Sequence, residues 1–262
     1  MDAMILAAGA GSRLRPLTET TPKALIEVGG VTMLERIARR LIAAGADRLI
    51  VNVHHHSGQI ARFAARLASS LGIEIAISHE EERPLDTGGA LMHAAPLFRR
   101  DRQFFLHNVD IITDLDLRAL AETHRGTGAL ATLAVNHRET SRTLLFDERG
   151  LYGRTDERKG ATETVRHPVG RNERIAFAGV HAVSPGILAA ITERGAFSIL
   201  DAYLRLAAAG HSILPYDVSD ASWLEIGTPE RLAKARLEIA GSAPISQPPM
   251  PQLPGSPEST RA

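Results

Sequence analysis

Residues 4–28 read MILAAGAGSRLRPLTETTPKALIEV. A short apolar run, Met4 to Ala8, breaks into a Gly-Ala-Gly-Ser-Arg turn, and polar and proline-rich sequence then leads to Pro22-Lys23. A buried strand feeding a loop with two glycines, a hydroxyl and the cations Arg13 and Arg15 has the chemistry a polyphosphate needs. Glycines let backbone N–H groups approach phosphate oxygens, and the cations offset their charge. The same letters would also serve an ordinary strand-to-loop turn. A Walker loop is excluded, because Gly11 is followed by Ser12-Arg13 where Gly-Lys-Ser/Thr is required. A dinucleotide fingerprint from Gly9 and Gly11 is excluded too, since its third small residue would fall on Leu14.

Outward from this loop, the first half alternates strand and helix. Leu49 to Val53, Ile73 to Ile77 and Phe104 to Val109 are short apolar runs rich in β-branched or aromatic residues. Between them, Leu34, Ile37, Ala38, Leu41 and Ile42, then Ile60, Phe63, Ala64 and Leu67, recur at helical spacing, closed by Gly45 and Gly72. This alternation predicts right-handed βαβ units in an α/β fold, with ligands at the carboxyl ends of the strands, where the glycine loop falls. In the second half Ala129 to Val135, Thr143 to Phe146 and Ile175 to Val183 read as strands. Helices are expected near Leu200 to Ala209 and over Pro229 to Ala240, the latter capped by Thr228. One domain over 1–240 is expected. The segment 241–262 holds six of the fourteen prolines and no apolar periodicity, which predicts a disordered tail.

Composition narrows the function. Thirty Lys and Arg residues balance thirty Asp and Glu, so no net field draws nucleic acid or an anionic membrane surface. The absence of cysteine excludes disulfides, thiolate metal sites and cysteine nucleophiles. No stretch reaches the ~18 apolar residues that span a bilayer, and the first apolar run has no basic leader, so a soluble cytoplasmic protein is expected. Only Lys23, Lys159 and Lys234 are lysines in this arginine-rich chain. A compact ammonium after Pro22 suits a shifting phosphate oxygen better than a planar guanidinium does.

Three other places carry candidate chemistry. The run Phe104 to Asp110 ends a strand on a carboxylate facing the glycine-loop crevice, a position suited to Mg²⁺ or, equally, to a turn; Asp116 reads as a helix N-cap. Glu225, before Gly-Thr-Pro, is placed to complete a metal site, though exposed glutamates are common. Asp86-Thr87-Gly88-Gly89 precedes a helix expected from about Ala90, where Asp86 or Thr87 would reach ribose or base. Consecutive His54-His55-His56 diverge on any regular element and read as a polar strand end lining a cleft; Asn52, just before, would reach a nucleobase.

Taken together, LAAGAGSRLRPLT with Pro22-Lys23, DTGGA, Asn108-Val109-Asp110 and WLEIGTPERLAKA resemble the nucleotidyltransferases that make nucleoside-diphosphate sugars from NTPs and sugar 1-phosphates. The resemblance spans about residues 1–240. It is strongest to the short uridylyltransferases of N-acetylmuramate 1-phosphate and to guanylyltransferases of mannose or heptose 1-phosphate. It implies a Rossmann-like α/β/α sandwich with a mostly parallel mixed sheet. It also implies an NTP, UTP favoured, and a sugar 1-phosphate as substrates, Mg²⁺ as cofactor, and a monomer or small homo-oligomer. Leu6, Ala7, Ala8, Gly9, Gly11 and Ser12 would hold the nucleotide, with Asn52 beside them and Gly88 touching the base through its backbone. Arg13 and Lys23 would act at the triphosphate, and Asp110 and Glu225 would bind the metal. Asn108, Gly153, Glu163 and Gly179 would line the sugar pocket. Two departures stand out. Glu225 occupies the place of the family's usual aspartate, moving the carboxylate by about 1.5 Å. The usual Glu-Lys-Pro sugar-phosphate motif is missing, with Glu163 or Arg166-His167-Pro168 in its place. GTP with mannose or heptose 1-phosphate, a non-sugar phosphate acceptor, and a non-catalytic nucleotide-sugar-binding subunit are the alternatives.

Overall fold

A computed structural model describes residues 1–241. In chain order the elements are β1 (Asp2–Leu6), β2 (Glu27–Val28), β3 (Val31–Thr32), α1 (Met33–Ala43), β4 (Arg48–Val53), α2 (Ser57–Leu71), β5 (Glu74–His79) and α3 (Asp86–Ala94). There follow β6 (Phe104–Asn108), β7 (Ile111–Thr113), α4 (Leu117–Thr127), β8 (Ala131–Asn136), β9 (Arg142–Asp147), β10 (Gly150–Asp156), β11 (Ala161–Thr164) and β12 (Asn172–Val183). The chain then forms α5 (Ile187–Ala190), α6 (Ile199–Ala208), β13 (Ile213–Asp217), β14 (Trp223–Glu225) and α7 (Pro229–Gly241).

The central sheet runs β5-β4-β1-β6-β12-β8-β13 and is mixed and mostly parallel; only β12 runs against its neighbours β6 and β8. β12 is long enough to continue into a second, antiparallel layer with β9, β10 and β11. Alternation along each strand explains the sandwich. Ala3 and Ile5 of β1, Leu49 and Val51 of β4 and Phe105 of β6 pack under α1, α2, α4 and α7. Met4, Ile50, Phe104 and Leu106 point the other way, under α3 and α6. A sheet covered on both faces must be apolar on both, which is why these strands read as unbroken apolar runs.

Local signals set the helix ends. The Thr32 hydroxyl accepts the Glu35 N–H to open α1, and Asp116 accepts from Arg118 and Ala119 to open α4. Thr228 accepts from Leu232 through its carbonyl and from Arg231 through its hydroxyl at the start of α7. α3 begins at Asp86 and not near Ala90. The first-turn N–H groups of Gly88 and Gly89 are donated to the Phe197 carbonyl, which supplies the partners a helix start lacks. The short strands β7, β11 and β14 carry too few residues to announce themselves by pattern, and β10 and β13 are broken by Gly153 and by Pro215 and carry no apolar run. Helix α7 extends through Gly241; the remainder of the predicted tail, 242–262, lies outside the described residues.

Candidate active site

The glycine loop leaves the carboxyl end of β1, between β4 and β6. Ala7 and Ala8 are buried, whereas Gly9, Ala10, Ser12 and Arg13 are exposed. Gly11 takes φ +62°, and a Cβ there would lie 2.9 Å from Thr18 Cγ2, so this position requires glycine twice over. Its carbonyl accepts from the Leu14 N–H and the Thr18 hydroxyl at 2.8 and 2.9 Å, pinning the loop to the segment that carries Lys23. The Leu6 carbonyl accepts the Val109 N–H, joining the loop's root to the end of β6.

Asn52 supports the loop from below. Only 2% exposed, it accepts the Ala7 N–H at 2.7 Å and donates Nδ2 to Glu80 Oε1 at 2.7 Å. The other Glu80 oxygen accepts the Leu85 N–H at 2.8 Å. Asn52 therefore spends its amide on the loop backbone and on Glu80. This chain of bonds ties the glycine loop to the turn that opens α3.

That turn divides its duties. Thr87 Oγ1 accepts the Ile199 N–H, and Gly88 donates to the Phe197 carbonyl; a Cβ on Gly88 would lie 2.2 Å from the Phe197 ring. Gly88 is thus turned to the segment before α6. The exposed member is Asp86, at φ +56°. His54 donates its Nδ1–H to the Glu80 carbonyl at 2.6 Å, and His55 and His56 line a cavity of about 320 Å³ with Ala10, Arg15, Thr18 and Glu19.

Opposite the loop, Lys23 Nζ reaches Asp110 Oδ2 at 2.6 Å. Asp110 sits in the turn between β6 and β7, and its carbonyl accepts the Ile226 N–H at 3.0 Å. β14 pairs with β7 so that Glu225 lies opposite Ile111, next to Asp110. Glu225 Oε2 is held by Arg231, and Oε1 lies 3.6 Å from Arg13 of the loop. Two carboxylates and three cations thus converge. Among the described residues no three His, Cys, Asp or Glu side chains could hold a metal by themselves. Two adjacent carboxylates completed by water and substrate oxygens nevertheless suit Mg²⁺, a hard ion that takes few protein ligands; the cations now beside them mark the same demand for positive charge.

Gly179 (φ +82°) lies at a register shift of β12 against β8, and a Cβ there would press on Asn108 Nδ2 at 3.0 Å. Asn108 and Gly179 therefore face each other beside Asp110. Gly153 and Glu163 lie in the outer layer. Gly153 pairs with Thr164, and Glu163 is tied to Arg154, which also holds Asp201 of α6. Arg166 is spent on Asp147 in a bidentate pair at 2.5 and 2.6 Å, holding that carboxyl well below the usual carboxylate range.

Sequence reasoning passed over Glu80, Arg138, Phe197 and Arg231. Glu80 heads an acidic run that reads as solvated surface. Arg231 falls in the first turn of α7, six residues after Glu225, a spacing that means nothing until β14 turns into the helix. Arg138 follows β8, and its guanidinium stacks 4.0 Å from the centre of the Trp223 ring, two residues from Glu225.

The family described as Nucleotidyl transferase matches residues 2–242. The chain is 32% identical over 247 residues to the N-acetylmuramate alpha-1-phosphate uridylyltransferase of Caulobacter vibrioides, covering 91% of this chain and 96% of that one. It is 30% identical over 234 residues to a mannose-1-phosphate guanyltransferase of Yarrowia lipolytica, covering 88% of this chain and 61% of that longer protein. In fold it is similar to a UDP-glucose pyrophosphorylase from Acinetobacter baumanii (TM-score 0.74, 16% identity, 91% and 92% covered). It is similar also to an inositol-1-phosphate CTP transferase from T. maritima (TM-score 0.69, 18% identity, 92% and 97% covered). With the family matched over nearly the whole described length, this chain belongs to the nucleotidyl transferases.

Proposed function

We propose that the protein transfers the nucleotidyl group of an NTP, UTP foremost, to an amino-sugar 1-phosphate, giving a nucleoside-diphosphate sugar and pyrophosphate. The observation that carries this reading is the convergence of Lys23, Asp110, Glu225 and Arg13 beside an exposed glycine loop. UTP is favoured because the Caulobacter relative, matched over 96% of its length, is a uridylyltransferase.

The chemistry is a direct displacement. An oxygen of the sugar 1-phosphate bonds to the α-phosphorus, the bond from that phosphorus to the oxygen bridging α and β breaks, and pyrophosphate leaves with the electron pair. The chain forms no covalent bond; it positions the reactants and neutralises charge. The loop's exposed N–H groups and Arg13 cradle the triphosphate, and Lys23 follows charge as it moves to the leaving group. Asp110 and Glu225 would hold Mg²⁺, which when bound would neutralise phosphate oxygens. Lys23, which holds Asp110 in the structure, would exchange that carboxylate for a phosphate oxygen of the substrate. We place this activity in the cytoplasm, where NTPs are abundant; among the described residues no helix is long and apolar enough to cross a membrane.

A second reading, GTP with mannose 1-phosphate, draws on the 30% identity to the guanyltransferase. The deciding experiment measures pyrophosphate release with Mg²⁺ for ATP, CTP, GTP, UTP and dTTP against muramate-, glucosamine-, mannose-, glucose- and heptose-1-phosphates. A dominant UTP and amino-sugar pair is expected; a dominant GTP pair selects the second reading, and silence across the grid overturns both.

A further inference from the structure

Arg138 is a half-buried cation with no carboxylate of its own. Its Nη1 donates to Asn136 Oδ1 at 2.6 Å and its Nη2 to the Phe177 carbonyl at 2.7 Å. Its guanidinium lies against Trp223, and Trp223 donates Nε1 to the Ala178 carbonyl at 2.9 Å, so both members of the stack are anchored to β12. Burial lowers its pKa, and Glu225 is the acid whose field works against that. Glu225, however, gives its oxygens to Arg231 and Arg13. A guanidinium has five N–H groups, and two of these are used. A charge partly withdrawn from water without a counter-ion is costly, and an oxyanion reaching the free N–H groups would offset that cost.

Its neighbours tell which ligand. Arg138 touches β12 at Phe177, and Gly179, two residues on, leaves room for Asn108, whose Nδ2 a Cβ there would meet at 3.0 Å; Asn108 lies two residues before Asp110. Trp223 lies two residues before Glu225 on β14. The glycine loop reaches Glu225 through Arg13, and Arg138 reaches the same strand through the Trp223 ring. Arg138 therefore flanks Glu225 from β12, and the glycine loop flanks it through a different cation. Arg166, which the sequence offered in place of the missing motif, is committed to Asp147, and Arg154, next to Gly153, is committed to Glu163 and Asp201.

We infer that Arg138 binds an oxyanion of the acceptor, either its 1-phosphate or a carboxylate carried on the sugar, and so sets acceptor specificity. This rests on the proposed nucleotidyl transfer. A planar fork fixed by stacking on an aromatic ring recognises such a group in two-point geometry.

The test uses the full chain and two variants, Arg138→Met and Arg138→Lys, with a thermal melt for each. KM is measured separately for UTP and for the acceptor, using N-acetylmuramate 1-phosphate, which bears a carboxylate, and N-acetylglucosamine 1-phosphate, which does not. Arg138→Met is expected to raise the acceptor KM by roughly 10- to 100-fold, the weight of a charged hydrogen bond, with the UTP KM unchanged. An equal penalty on both acceptors assigns the phosphate; a penalty on the carboxylate-bearing acceptor alone assigns the carboxylate. An unchanged acceptor KM, or an equal rise in both substrates' KM, overturns the inference. If Arg138→Met does not fold, Arg138→Lys decides by the same split, since it keeps the charge and loses the fork. If the wild-type chain turns over no pair, the proposed function fails separately. Calorimetry of N-acetylmuramate 1-phosphate, N-acetylglucosamine 1-phosphate and inorganic phosphate then reads Arg138 alone, and equal or no binding by wild type and Arg138→Met overturns it.

Discussion

Lys23 Nζ and Asp110 Oδ2 lie 2.6 Å apart across 87 residues of sequence, with side chains 12% and 21% exposed. The lysine stands in a 3-10 turn beyond the glycine loop, and the aspartate stands in the turn that follows β6, the strand beside β1. The ion pair holds both side chains in place; in the proposed reaction the lysine would pass to a phosphate oxygen and leave the carboxylate to a divalent cation.

Removing either partner therefore damages the charge balance of the transition state. Asp110→Ala should lower kcat by at least ~100-fold, the scale of losing one electrostatic stabiliser. Lys23→Ala should be of similar severity, and the double variant should cost less than the product of the two, because they act as a unit. Near-normal turnover of Asp110→Ala at saturating Mg²⁺ would refute the role.

Glu225 is sensitive to crowding as well as to charge. A methyl group on Gly227 would lie 2.3 Å from Glu225 Oε1, so Gly227→Ala must swing the carboxylate aside. The far end of a flexible side chain moves cheaply, so the melting temperature should hardly change. The Mg²⁺ concentration for half-maximal rate should rise by about tenfold, a displacement effect of the kind that small shifts in a positioned site produce. Glu225→Gln should do the same without steric cause. Both titrations superposing on the wild type would exclude Glu225 as a ligand.

Asn52→Ala leaves the Ala7 N–H and a Glu80 oxygen unsatisfied in a buried place. The cost should be about 1–3 kcal/mol of stability, read from urea unfolding. UTP affinity by calorimetry should fall with it, because the loop loses its support; unchanged affinity would show that the loop holds its shape alone. Asn52→Asp should be worse, since aspartate cannot donate to Glu80 and repels it.

Three buried histidines make the fold acid-sensitive. Burial pushes His107 and His124 down to about 4 and His181 to about 3 from the ordinary 6.5. Between these values the unfolded chain binds protons that the folded chain refuses. Stability is complete above about 6.5 and is lost as pH falls toward 4, by an amount on the order of a few kcal/mol per histidine. Thermal melts from pH 7.5 to 4.5 should show a steady fall, and a flat profile would contradict the burial of these rings as neutral groups.

What the amino-acid order determined alone was whatever is local or periodic. The apolar runs of β1, β4, β5 and β6, the 3.6-residue spacing of α1 and α2, and the Asp116 and Thr228 caps depend on neighbours a few residues away. They were therefore legible, as was the glycine loop with the residue types expected around it. The tertiary structure decided which of those residues meet. The sequence alone left Asn52 free to face a base; the register of β4 on β1 turns its amide to Ala7 and Glu80. Gly88 faces Phe197 because α6 packs against α3, and Glu163 is bound to Arg154 because β10 and β11 pair in one register. The Arg138–Trp223 stack joins residues 85 positions apart through β12, and no periodicity within either segment announces it. Contacts of this kind depend on strand register and layer packing, and a one-residue slip would send strand residues such as Asn52, Glu163 and Trp223 to the opposite face.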